Sequence, residues 1–98
     1  MSNPATIIRD QVGAACLALL GAKDLFATKK GQALQFKIGK GPKGVNLIEI
    51  ELKADDTYTV TFSRIWGLKV TEKGQFDGVY VDMLHDLIED ETGLYTRF

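Results

Sequence analysis

With one cysteine in 98 residues, the sequence has no means of building a disulfide framework or a thiolate metal cluster. Cys16 stands among Ala14, Ala15, Leu17 and Leu19. That apolar setting reads as a buried, inert thiol, because a reactive one needs a basic neighbour. Histidine is equally scarce: His85 is alone, on a different element, among carboxylates. No apolar run approaches the roughly 20 residues that cross a bilayer; Val12 to Leu20 is interrupted by Gly13. Ser2-Asn3-Pro4 lacks the basic start of a signal peptide. These scarcities point to a cytoplasmic protein without membrane contact, and leave little for acid–base or nucleophilic catalysis. No enzyme, cofactor or metal is expected.

What is present is ordinary for one globular domain spanning residues 1–98: 45% apolar and 26% charged residues. The most informative stretch is Asp55 to Trp66, DDTYTVTFSRIW. Tyr58, Val60, Phe62 and Trp66 fall on one parity; Thr57, Thr59, Thr61 and Ser63 fall on the other. A strand sends alternate side chains to opposite faces, so this is a strand with an apolar inner face and a wet, hydroxyl-rich outer one.

Around it the periodicity predicts the order α-β-β-β-β-α. Asn3 as N-cap and Pro4 at the first position open a helix to about Leu20, with Gly21 as its left-handed stop. Gly13 inside that helix costs about 1 kcal/mol relative to Ala and hints at close packing. Lys23 to Gln32 reads as a polar connection whose Leu25-Phe26 pair folds back over the helix end. Leu34, Phe36 and Ile38 mark a first strand, residues 39–44 a hairpin loop, and Val45 to Lys53 a second strand with Ile48, Ile50 and Leu52 inward. Ala54-Asp55-Asp56 turns into the third. Leu68, Val70 and Phe76 mark a fourth, with a bulge or early end at Gly74. A last helix begins near Asp77-Gly78, carries the stripe Tyr80, Met83, Leu84, Leu87 and Ile88, and stops at Thr92-Gly93-Leu94. The fold class is α+β: an antiparallel meander of about four strands with both terminal helices on one face.

Charge is unevenly spread, +4 from Met1 to Lys53 and −5 from Ala54 to Phe98. The candidate binding residues are basic. Lys40 and Lys43 sit in the loop GKGPKG, which lacks the following Ser or Thr and helix of a phosphate-binding P-loop; Lys29 and Lys30 precede it. Arg64 is the one charge of inward parity, placed to stack on Trp66 or to reach an acidic residue of the last helix. Asp82, Asp86, Glu89, Asp90 and Glu91 read as a solvated acidic face, in preference to a metal site built on Asp86, Asp90 and His85.

The segments Gly21-Ala22-Lys23, Leu34-Gln35-Phe36-Lys37, Asp56 to Phe62, Val79 to Leu84 and Thr92 to Thr96 resemble a family of small bacteriophage and prophage proteins. DTYTVTFSRIWG and TGLYT are the most specific parts. The resemblance implies a phage origin and a bacterial host cytoplasm; that family has no assigned activity, so no catalytic residue carries over. The resulting expectation is a non-enzymatic binding protein engaging a host or phage protein through Lys40 and Lys43 or the acidic helix. The alternative is nucleic-acid binding through the lysine-rich loop. Homo-oligomerisation through the fourth strand or the aromatic tail is compatible with both.

Overall fold

The computed structural model describes residues 4–28, 32–39 and 44–94. Two helices, α1 (Pro4–Val12) and α2 (Ala14–Leu20), precede five strands: β1 (Lys23–Thr28), β2 (Ala33–Lys37), β3 (Leu47–Leu52), β4 (Tyr58–Trp66) and β5 (Lys69–Val79). A 3-10 turn, Val81–Met83, leads into α3 (Leu84–Thr92). The strands form one antiparallel meander in the order β1-β2-β3-β4-β5.

The α+β meander with terminal helices is as the periodicity predicts. Phe36, Ile48 and Phe62 lie in one register row, and Leu34, Ile50 and Val60 in the next. These side chains, with Tyr58, join Ile8, Val12, Cys16 and Leu20 from the first two helices and Leu84 and Ile88 from α3 in a single buried cluster. Apolar strand residues of one parity thus meet the helical stripes, the arrangement that removes both from water.

Five details differ from expectation. The segment after α2 is not a connection but β1, an edge strand on β2. Its pairing shifts register between Lys23 and Phe26, and Asp24 takes φ 56° there. An edge strand exposed over most of its length has no alternation to read.

The first helix is two helices. Gly13 adopts φ 91° and ψ 145°, ending α1 and starting α2. An added Cβ there would meet nothing within 4 Å, so backbone freedom and not close packing explains the glycine. The break frees the carbonyl of Val12, which lies 2.8 Å from Nε2 of His85 on α3. A carbonyl only accepts, so this contact fixes the proton on Nε2. His85 therefore ties α3 to the break between α1 and α2.

The outer face is not hydrated throughout, although Thr61 and its partner Glu49 near the middle are only half-buried. Thr57, Thr59 and Ser63 are buried, Thr59 to 5% exposure. The Thr59 hydroxyl donates to Asp77 at 2.9 Å and the Thr57 hydroxyl to Asp55 at 2.6 Å.

The last helix starts later than expected, because β5 continues through Phe76 to Val79. Tyr80 and Met83 are exposed, and the buried stripe of α3 is Leu84, Ile88 and Thr92. Gly93 at φ 73° closes it as predicted. Asn3, expected as the first N-cap, lies outside the described residues.

Finally, Arg64 and Trp66 have the inward parity but are exposed. On β4 the buried inward positions end at Phe62, while Ile38 and Val45 remain buried beyond that row on the neighbouring segments.

Candidate binding surface

The exposure of Arg64 and Trp66 follows from unequal strand lengths. β3 stops pairing at Leu47, opposite Ser63. β4 runs on to Trp66, and β5 returns beside it through the pairs Arg64–Thr71, Ile65–Val70 and Trp66–Lys69. The result is a two-stranded arm projecting past the rest of the sheet. Gly67 at φ 61° occupies the first position of its two-residue turn, where a Gly-X loop matches the twist of the strands.

Asn46 holds the base of this arm. Its side-chain amide donates to the Ile65 carbonyl at 3.0 Å and its side-chain oxygen accepts from the Ile65 N–H at 2.7 Å. Its own N–H donates to the Ser63 carbonyl at 3.0 Å. One side chain thereby does for β4 what another residue of β3 would have done. Asn46→Ala is expected to remove both side-chain bonds and about 1–2 kcal/mol of stability. Hydrogen exchange at the Ile65 amide should accelerate, while amides at Ile48 and Val60 keep their protection; unchanged exchange at Ile65 would contradict the role.

One face of the arm is cationic. Arg64, Trp66, Lys69, Thr71 and Lys73 line a shallow groove of about 370 Å³. The Arg64 guanidinium lies over the indole of Trp66, 5.1 Å from the ring centroid, as one of the two expectations for Arg64 had it. Phe62 pairs with Gly74 and Ser63 with Glu72, which leaves Lys73 as the extra residue of a bulge. The break expected at Gly74 is this bulge. Bulges re-aim side chains, and here Lys73 joins the groove. Trp66 is 72% exposed, Leu68 is exposed in the turn, and Val70, paired with Ile65, is exposed on the opposite face of the hairpin.

Of the other expected site residues, Lys29, Lys30, Lys40 and Lys43 lie outside the described residues, as do Tyr95 and Phe98 of the tail. The fourth expected strand, now β5, is an edge of the sheet. Cys16 is buried, and burial first, then the charge of Glu89, pushes its thiol up to about 11. Hardly any thiolate exists at neutral pH. Tyr58 donates its hydroxyl to Gln11, and burial raises its pKa. Asp55 is held below the usual carboxylate range by the Thr57 hydroxyl and backbone N–H. On the outer face Glu49 accepts from Thr28 at 3.0 Å and Glu51 lies 3.6 Å from the Lys53 ammonium. Among the described residues no group of three or more His, Cys, Asp or Glu side chains is placed to hold a metal ion, and no helix is long and apolar enough to cross a membrane.

The arm itself escaped sequence reading. Trp66-Gly67-Leu68 was visible as a strand break, but only the end of β3 shows that the hairpin projects. No family model, curated protein or solved structure matches the chain.

Proposed function

We propose that this chain is a small non-enzymatic binding protein, and that the β4–β5 arm is the element that touches its partner. The observation that carries the reading is the company of exposed side chains at the tip. Trp66, Leu68 and Val70 stand in water on a hairpin held by cross-strand pairing and by Asn46. Trp66 and Leu68 are neighbours at the tip, and Val70 adds apolar area on the other face; exposed apolar groups of this kind mark interaction sites, and tryptophan and arginine are the commonest anchors at such sites. A held arm also loses little freedom on binding. The state of the two most reactive side chains supports a non-catalytic role: Cys16 is buried as a thiol and the His85 ring is engaged by a backbone carbonyl. The resemblance to small phage proteins supports a setting in the cytoplasm of an infected bacterium, with a host or phage macromolecule as partner.

The test is capture from host lysate by immobilised protein, with and without nuclease, comparing wild type with a Trp66→Ala/Leu68→Ser double variant. Both positions lie off the core, so the variant should keep wild-type stability within about 0.5 kcal/mol. A discrete component, protein or nucleic acid, retained by wild type and lost by the variant is the expected result. The same retention by both proteins, or none by either, would remove the arm from consideration.

A further inference from the structure

Resting on the arm being the contact element, we infer that its cationic face is a site for single-stranded nucleic acid, with a base stacked on Trp66 and phosphates held by Arg64, Lys69 and Lys73. Three features of the face converge on this class of ligand.

The first is charge. The groove's lining carries three cations and the hydroxyl of Thr71, with no carboxylate among the described residues that form it. This stands out on a chain of net charge −1. Glu72, between Thr71 and Lys73, pairs with Ser63 and is not part of the groove's lining, and α3 approaches the arm's base at Glu91, 3.6 Å from where a Cβ on Gly74 would lie. A polyanion is therefore attracted to the tip and repelled from the helix behind it, which confines contact to the arm.

The second is the state of the indole. Arg64 covers one side of the ring at 5.1 Å, yet Trp66 remains 72% exposed. The opposite side of the ring is open to solvent. A π-face backed by a guanidinium and open in front is a stacking platform for a nucleobase, and stacking tolerates any base. A duplex keeps its bases stacked on one another, so only an unpaired strand can use the platform.

The third is spacing. Lys69 and Thr71 lie one two-residue step apart on β5, and the bulge turns Lys73 into the same groove beyond them. Two residues of strand advance about 6–7 Å, comparable to the separation of successive phosphates along an extended single strand. Arg64 faces Thr71 across the hairpin, so cations flank the ring on both strands of the arm.

The chain's single tryptophan makes the test direct. Titration with oligothymidylate and, separately, with oligouridylate should quench Trp66 emission as a base stacks, and the two arms rank DNA against RNA. Trp66→Ala, followed by anisotropy of a labelled strand, should bind about tenfold to a hundredfold more weakly, with Trp66→Phe in between. Three phosphate contacts correspond to a slope of log affinity against log salt of about −2, and Arg64→Glu/Lys69→Glu should flatten it. Absence of binding in low salt, or binding that Trp66→Ala leaves unaltered, overturns the assignment. Binding lost only with Lys40→Glu/Lys43→Glu overturns it too, in favour of the other loop. If no oligonucleotide binds but the arm variant loses a captured protein, the nucleic-acid assignment falls while the arm stands.

Discussion

Phe62→Ala is expected to cost about 3–5 kcal/mol, the upper range for emptying a buried aromatic site. Phe62 is fully buried at the middle of β4. It faces Ile48 across one strand boundary and Gly74 across the other. Its ring meets Phe76 edge-on, centroids 5.9 Å apart and planes at 73°, a geometry in which a positive ring edge points at a negative face. Truncation removes this contact and leaves a cavity beneath helices that cannot collapse into it without moving the sheet. Against a total stability of about 5–15 kcal/mol for a domain of this kind, the variant should unfold at a much lower urea concentration. Phe62→Leu should lose well under half as much. Far-UV circular dichroism is the appropriate probe, since Trp66 is already in water. A loss below about 1 kcal/mol for the alanine variant would mean that the ring is not part of a tightly packed interior.

Gly13→Ala is expected to destabilise the protein by about 1–3 kcal/mol, and its sign is the informative part. In an uninterrupted helix the same change would be worth about 1 kcal/mol in the other direction. Gly13 adopts φ 91° and ψ 145°, close to a backbone region that only glycine enters readily. An added Cβ would touch nothing within 4 Å, so no side-chain clash confuses the result and the cost is that of the backbone alone. Relieving it by straightening the helix would carry Val12 away from His85, breaking the 2.8 Å contact. A stabilised alanine variant in urea titration would show that α1 and α2 form one continuous helix.

These two positions also show where sequence reading succeeds and where it stops. Phe62 was legible as core because β4 lies between two strands and beneath helices, so its alternation maps directly onto burial. The same held for Ile48, Ile50 and Phe36. Gly13 was legible as an anomaly but not as a break: the stripe Ile8, Val12, Cys16 and Leu20 keeps its spacing through the interruption. β1 was missed because an edge strand with a bulge buries little. Trp66 had the correct parity and the wrong environment. Whether a residue of inward parity is covered depends on how far the neighbouring elements extend, and that is a property of the assembled sheet. Of the candidate site, Arg64 was singled out, and stacking on Trp66 is one of the two contacts expected for it, the other being an acidic residue of the last helix. The partnership with Lys69, Thr71 and Lys73 required knowing the hairpin register and its bulge.

In the meander, every hydrogen-bonded strand neighbour is also the neighbour in chain order. Each pairing therefore closes a short loop at small entropic cost, and the sheet can grow outward from any one hairpin. The contact between His85 and Val12, 73 positions apart, is of another kind. It joins the first helix to the last across the whole sheet, so the loop it closes is far longer than that of any strand pair and its closure is entropically more costly.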